Sequence, residues 1–285
     1  MEGIMKLAYF LLILGLLLPT AHAYEFKVMS WNVFMLPKPI KNSLQETRTK
    51  VIPAQLKNTN HDLIFMQEAF TSNFRGTVKT ALKKTHHHTY YLGNPLRRFT
   101  VFGSGLYVLS RYPVKILGYT YYTNCAGPDC FAAKGAALME IRLPGGHKVH
   151  VMNTHLQASS GGSSIRMKQL AQIHSLLLRY GQPDIPQFLL GDLNIDNDEP
   201  EFFLGLSLLG MDYARLRGPI QHTTGRENPC YSKSGTASKW VDHIWYDNFS
   251  GITTTEMRVK NFEFKREGKV CPSSDHHAIE ASFRF

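Results

Sequence analysis

An α/β fold, with strands packed as two layers and helices outside them, is predicted by three features of the sequence. Short β-like runs recur from one end to the other, one segment carries helical periodicity, and glycines and prolines punctuate the connections. Some β-like runs alternate apolar with polar residues and others are continuously apolar, a mixture that fits sheets with one face on a shared core and the other under helices or solvent. The 285 residues are 43% hydrophobic and 12% aromatic with no periodic or low-complexity tract, which excludes a disordered, collagen-like, coiled-coil or solenoid chain.

Residues 7–18 form an apolar run preceded by Lys6 and followed by Pro19, Thr20 and Ala21-His22-Ala23. This is the layout of a secretory signal cleaved after Ala23. The run is about a dozen residues, against the roughly 20 that a spanning helix needs. The expectation is a secreted protein, extracellular or periplasmic, with residues 1–23 as signal peptide and residues 24–285 as one domain. Strands are expected over residues 26–31, 63–66, 106–110, 136–143, 147–154, 188–190, 241–246 and 278–285. The clearest helix follows Ser163-Ser164, where Leu170, Ile173, Leu177 and Tyr180 recur at 3-4-3 spacing and Gly181 supplies the stop. Gly103-Ser104-Gly105, Pro144-Gly145-Gly146 and Gly161-Gly162 read as turns rather than domain linkers.

Export permits disulfides, and the four cysteines allow three pairings, of which Cys125 with Cys130 and Cys230 with Cys271 is preferred here. No C-x-x-C spacing supports a structural zinc site. The net charge of +10 attracts anions such as nucleic acid, acidic headgroups or phosphate-bearing substrates, without naming one. His86-His87-His88 lies in a lysine-rich, turn-like stretch and is expected to be exposed; His174 falls on the helix at its surface or boundary. Gly118-Tyr119-Thr120-Tyr121-Tyr122, with Phe131, is either an aromatic surface for a lipid interface or ordinary alternate-face burial.

Residues able to bind a hard cation or move protons sit where the apolar runs end. Asn32 closes Val28-Met29-Ser30-Trp31, Glu68 closes Leu63-Ile64-Phe65-Met66-Gln67, and His155 closes Met152-Asn153-Thr154. Asp192 and Asn194 follow Phe188-Leu189-Leu190-Gly191, Asp242 interrupts the segment from Trp240 to Trp245, and Asp275-His276 precede the last strand. Singly, the Asn and Asp residues are turn formers or helix caps, Glu68 a solvated carboxylate and His155 a bonded core histidine. Strand ends are rigid, however, and side chains from several of them converge with the accuracy a reaction needs. Six such coincidences point to a shared site.

Ser30-Trp31-Asn32-Val33-Phe34-Met35-Leu36-Pro37, Met66-Gln67-Glu68-Ala69-Phe70, Asn153-Thr154-His155-Leu156-Gln157, Gly191-Asp192-Leu193-Asn194 and Ser274-Asp275-His276 occur in the order seen in the endonuclease/exonuclease/phosphatase superfamily. The chain resembles that superfamily over nearly the whole of residues 24–285. The continuation from Asn32 to Pro37, Gln157 after Leu156, and Lys134-Gly135 after Cys130 resemble secreted neutral sphingomyelinases. The resemblance implies a DNase I-like, four-layer α/β/β/α sandwich of two packed mixed sheets, forming a single catalytic phosphodiesterase domain. It also implies a divalent cation, magnesium or another such as manganese or cobalt.

On this resemblance Glu68 ligates the ion and Asn32 lies on or beside it, hard cations preferring carboxylate and amide oxygens. His276 is the general base, suited by a pKa near neutrality, and Asp242 holds its tautomer. Asp192 and Asn194 orient the water and a phosphate oxygen. His155, opposite, stabilises developing charge or protonates the leaving alkoxide. Asp275 acts through hydrogen bonds or a second metal position, and Lys134 stands near the substrate entrance. The implied reaction is in-line hydrolysis of sphingomyelin to ceramide and phosphocholine at a membrane surface bound peripherally, with no stable protein partner.

Haemolytic relatives carry an aromatic-tipped hairpin before the final Asp-His. Residues 248–273 here offer Phe249, Phe262 and Phe264 among Arg258, Lys260, Lys265, Arg266 and Lys269, a composition for electrostatic docking on acidic lipid rather than insertion. Rival readings are a secreted nuclease with the same machinery, which takes up the charge more directly and is the one reading that brings nucleic acid as a partner; a phosphoinositide phosphatase; and a non-catalytic binding protein.

Overall fold

A computed structural model of the chain describes residues 24–38, 40–41, 43–93, 100–225, 230, 237–247, 253–254 and 256–284. The expected leader and Phe249 lie outside the described residues. In chain order the elements are β1 (Glu25–Asn32), α1 (Gln45–Leu56), β2 (Leu63–Gln67), α2 (Ser72–Leu82), β3 (His88–Leu92), β4 (Leu106–Ser110), β5 (Val114–Tyr121), β6 (Gly135–Arg142), β7 (Lys148–His155), α3 (Ser163–Tyr180), β8 (Gln187–Asp192), α4 (Pro200–Leu209), β9 (Met211–Tyr213), β10 (Leu216–Arg217), β11 (Asp242–Asp247), β12 (Thr253–Thr254), β13 (Met257–Lys260), β14 (Glu263–Arg266), β15 (Lys269–Pro272) and β16 (Ala278–Arg284).

One sheet has the order β10-β13-β16-β1-β2-β4-β3, with β12 also on β16; the second has β5-β6-β7-β8-β11-β9; and β14-β15 form a separate hairpin. Both large sheets are mixed, because β1 pairs parallel with β2 and β7 parallel with β8, whereas β16 on β1 and β11 on β8 are antiparallel. The period-2 alternation of each strand sorts its side chains between layers. Phe26 and Val28, Leu63 and Phe65, Val149 and Val151, and Phe188 and Leu190 fill the space between the sheets. Met29, Trp31, Ile64 and Met66 turn the other way, to Ile52 and Leu56 of α1 and Phe74 and Val78 of α2. Met152, Leu189 and Trp245 meet Leu170 and Ile173 of α3 and Phe202 of α4. The result is the four-layer α/β/β/α sandwich of DNase I-like proteins.

The eight strands expected from sequence are present within a residue or two at their ends. Two longer strands were not anticipated, β3 and β5. Both are sheet edges, and most of their residues are partly exposed, so they lack the apolar density of the central strands. Helix α3 runs as expected and ends at Gly181, whose N–H bonds the carbonyl of Leu177. Tyr180 keeps to the expected face, lying over Gly118 of β5, but at the helix end it is still 36% exposed. Helix α1 hides in the sequence because its buried face includes Gln45 and Arg48 beside Ile52, Pro53 and Leu56.

His86 corrects another expectation. It is buried, with Nε2 at 3.1 Å from the carbonyl of His61 and Nδ1 at 3.0 Å from Thr85 Oγ1, while His87 is exposed and His88 opens β3. The aromatic run resolves into β5 and its end, where Tyr122 is buried; Phe131 is 55% exposed. Disulfides join Cys125 to Cys130 and Cys230 to Cys271. Among the described residues no helix is long and apolar enough to cross a membrane.

Candidate active site

The inward rows of the central strands run on past the apolar core into polar residues at one end of the sandwich. Phe26, Val28, Ser30 and Asn32 lie on one face of β1; Val149, Val151, Asn153 and His155 on one face of β7; Phe188, Leu190 and Asp192 on one face of β8. Asp242 opens β11 directly opposite Asp192 in the antiparallel pairing. Beneath them lies a buried polar layer: Gln67 Nε2 donates to Asn153 Oδ1 at 2.8 Å and to Ser30 Oγ at 3.2 Å, and Asn153 Nδ2 donates to the Met66 carbonyl at 3.2 Å. This layer ties the two sheets together under the site. Sequence reasoning passes over Ser30, Gln67 and Asn153 as functional, although all three stand inside the quoted motifs.

Asp192 is the hub. Its Oδ2 accepts from Asn32 Nδ2 at 3.0 Å and lies 3.3 Å from His155 Nε2 and 3.7 Å from His276 Nε2. Its Oδ1 accepts the backbone N–H of Asn194 at 3.0 Å, and Asn194 Nδ2 donates to the Leu156 carbonyl at 3.3 Å. His276 Nδ1 lies 2.8 Å from Asp242 Oδ2. Because an ionised carboxylate only accepts, Nδ1 carries that proton and Nε2 is the nitrogen presented to Asp192 and the cleft. The loop bearing His276 is itself anchored: Trp31 Nε1 donates to the His276 carbonyl at 3.0 Å, and Ser274 Oγ to the Asn32 carbonyl at 2.7 Å. Thr223 Oγ1 accepts the N–H groups of Val241 and Asp242, fixing the start of β11.

Glu68 and Asn194 take left-handed backbone conformations, φ 54° and 52°. Such strain persists only where the surroundings over-determine it. Glu68 Oε1 accepts from Asn32 Nδ2 at 3.3 Å, and Oε2 is buried with no hydrogen-bond partner among the described residues. Burial, and then the repulsion of Asp275, raise the Glu68 pKa to about 7. Asp275, raised by its own burial, accepts from Ser274 Oγ at 3.3 Å. Two half-buried carboxylates whose charges repel each other, one with a buried, orphaned oxygen, could hold a hard divalent cation.

Asn32 lies beside that pair. Its Oδ1 accepts the N–H of Phe34 at 3.0 Å, which turns Nδ2 towards Glu68 and Asp192. Asp192, Asp242 and His276 also bring one ligand atom each within 4.8 Å of one another. The His276–Asp242 hydrogen bond already engages two of those three, so that group suits proton transfer, and Glu68 and Asp275 are left as residues that could hold a cation.

The remaining pKa directions follow from the same charges. Burial disfavours the charged form of His276, but Asp242 and Asp192 outweigh it and hold the pKa well above the ordinary value. His155 is driven down to about 4 by burial and then by the charge of Lys134. That low value favours the neutral imidazole, whose Nε2 lies 3.3 Å from Asp192 Oδ2. Lys134 is not a solvated turn residue: its buried Nζ contacts Asp129 Oδ2 at 2.8 Å and donates to the Leu156 carbonyl at 3.0 Å. Asp129, which no sequence motif singles out, also accepts the N–H of Ala158. Asn32, Glu68, His155, Asp192, Asn194, Asp242, Asp275, His276 and Lys134 are thus gathered at one end of the sandwich.

The profile of the Endonuclease/Exonuclease/phosphatase family matches residues 29–276. Sphingomyelinase C 2 of Leptospira interrogans is 28% identical over 90% of this chain and 45% of its own. The chain spans about half the length of the curated relatives it matches. Among solved structures, beta toxin 275-280 from Staphylococcus aureus superposes with a TM-score of 0.79 at 22% identity, covering 90% of this chain and 99% of that one. A doubly substituted beta toxin from the same organism, solved with bound magnesium ions, gives 0.73 at 20% identity over 90% and 99% of the two chains.

Proposed function

From a chain that belongs to the endonuclease/exonuclease/phosphatase family, we infer a secreted, divalent-metal-dependent phosphodiesterase that hydrolyses sphingomyelin to ceramide and phosphocholine. The observation that carries the reading is the convergence of the Asp242–His276 pair, Asp192 and the orphaned carboxylate of Glu68 on one cleft. Similarity to Sphingomyelinase C 2 over 90% of the chain supports the lipid substrate. The two disulfides are consistent with an oxidising, extracytoplasmic compartment.

Glu68 and Asp275 would hold the cation, with Asn32 beside them as hydrogen-bond donor. When bound, the ion supplies positive charge to the phosphoryl oxygens and offsets the charge gathered in a pentacovalent transition state. Once neutral, above the raised pKa that Asp242 and Asp192 give it, His276 takes the proton of the attacking water on Nε2, Asp242 keeps the proton on Nδ1, and Asp192 steadies the imidazolium that forms. Water oxygen bonds to phosphorus as the bond to the ceramide oxygen breaks in line, and that oxygen takes its proton from solvent. Neutral His155 donates from Nε2 towards the same face, stabilising charge without giving up its proton. Asn194, pinned by Asp192 and Leu156, orients a phosphate oxygen.

The test is phosphocholine release from sphingomyelin vesicles with magnesium, run beside Glu68→Ala. Metal-dependent release by the native chain and none by the variant is expected; equal release rejects the reading. The nuclease reading is favoured by one feature, the net charge of +10, and predicts plasmid nicking that falls steeply with salt.

A further inference from the structure

Large apolar side chains exposed singly carry no message, but a pair at the mouth of a cleft does. Val101 is 60% exposed and Phe131 is 55% exposed. They are neighbours: the N–H groups of Val101 and Phe102 both donate to the carbonyl of Phe131, at 2.8 and 3.0 Å, and Phe102 bridges to Ala132. The short 3-10 turn Gly127–Phe131 that presents Phe131 is stapled by Cys125–Cys130. Phe131 is thereby held out in solvent by covalent and backbone bonds rather than by packing of its own ring.

Directly behind this lip is a cavity of about 540 Å³ lined by Thr100, Tyr122, Asp129, Ala132 and Lys134 among others. It leads to the catalytic end of the sandwich, because Lys134 Nζ bonds the carbonyl of Leu156, the residue after His155, and Tyr122 bonds Thr154, the residue before it. The sequence of chemistry from outside inwards is therefore apolar tip, polar cavity, charged site.

We propose that Val101 and Phe131 form a lipid-interface anchor, entering the acyl boundary of a bilayer so that the cavity behind them lies at headgroup depth, with Lys134 on its wall towards the strand end that carries His155. The proposal rests on the lipid-hydrolase reading and deepens it. A substrate whose scissile bond lies just above its acyl chains needs this order of surfaces, and an aromatic ring with an aliphatic neighbour suits the water–lipid boundary. A bulk-solvent substrate would need no apolar tip.

The experiment compares the native chain with a Val101→Ser/Phe131→Ser double variant in three assays: phosphocholine release from sphingomyelin–phosphatidylcholine vesicles, hydrolysis of monomeric p-nitrophenyl phosphocholine in solution, and sedimentation with the same vesicles in EDTA. Expected are a loss of at least tenfold in vesicle hydrolysis and a parallel loss of sedimentation. Solution turnover should stay within twofold and the melting temperature should not move. Phe131→Trp should restore vesicle binding when Val101 is native. Vesicle activity that survives the double variant overturns the anchor. So does an equal fall in solution turnover, which would put the pair in the cleft's own architecture, and so does a concentration-dependent dimer that the variant abolishes. Should the native chain hydrolyse neither substrate, the proposed reaction fails, and the sedimentation arm alone decides the anchor.

Discussion

At the scale of single residues, hydrogen bonds assign each group its task. On the proposed mechanism His276 is the base because Asp242 holds its Nδ1 proton, so Asp242→Asn should lower kcat about 10³- to 10⁴-fold through loss of the tautomer. The carboxylate charge of Asp242 is also among the causes that hold the His276 pKa up. Removing it should move the acid limb of the kcat–pH profile to lower pH; an unchanged or higher limb would exclude this account. Glu68→Gln keeps the shape of the side chain but not its charge. It should abolish both metal-dependent turnover and the rise in melting temperature on adding magnesium, which follows from mass action on the folded state. Most of this was legible in sequence because Asn32, Glu68, His155 and Asp192 end β-like runs. The contact of Asn32 Oδ1 with Phe34 N–H was not, since a side-chain rotamer set by a backbone group two residues away leaves no mark in composition. Nor was Asp129, which acts through Lys134 and whose place in a short 3-10 turn reads as an ordinary turn aspartate.

At the scale of elements, backbone approach and buried charge decide what can change. Gly191 of β8 has φ 141°, and a Cβ there would overlap the carbonyl oxygen of Thr154 on β7. The two strands carry Asp192 and His155, so Gly191→Ala should force them apart. We expect a loss of a few kcal/mol in urea unfolding together with a collapse of turnover. Helices α3 and α4 are joined by Arg166, whose guanidinium bonds both oxygens of Glu201 and the carbonyl of Ser159, with both side chains almost wholly buried. Glu201→Ala leaves that buried cation with only the more distant carboxylate of Glu199, at 3.9 Å, and should cost about 3 kcal/mol. Chemical denaturation of the variant checks it, and a change below about 1 kcal/mol would refute it. The same pairing explains why the outer helices were hard to read: Arg166 and Arg48, Gln45 and Gln169 are interior residues here. An apolar-periodicity rule counts them as solvent-facing, and it found α3 only because Leu170, Ile173 and Leu177 suffice by themselves.

At the scale of the whole molecule, the central strands could be read from sequence while the rim could not. Strands buried between two layers are apolar on both faces, whereas the edge strands β3 and β5 and the β14–β15 hairpin meet water and look like loops. Proton uptake is a property of this scale too. Burial, followed by the charge of Arg111, pushes His86 down to about 4, and burial pushes His243 down to about 4. In the unfolded chain both titrate near 6.5. Between those values the unfolded chain binds protons that the folded one refuses. The stabilisation that these two histidines contribute is therefore complete above about pH 6.5 and declines as the pH falls towards 4, by on the order of 3 kcal/mol for the fully buried His243. Melting temperatures between about pH 4 and 7 should show the slope, and His243→Gln should flatten it; a slope untouched by that variant would assign the loss elsewhere.

The bond between Cys230 and Cys271 spans a separation of 41 residues and links the segment that leads into β11 with the hairpin that leads to Asp275 and His276. The base and the carboxylate that orients it thus arrive at the cleft on two arms riveted to each other upstream. Reduction would remove that rivet and leave the two arms joined by hydrogen bonds alone, Thr224 Oγ1 to the Asp275 carbonyl and His276 to Asp242 among them, so a thiol-rich medium would loosen the alignment of the pair without unmaking it.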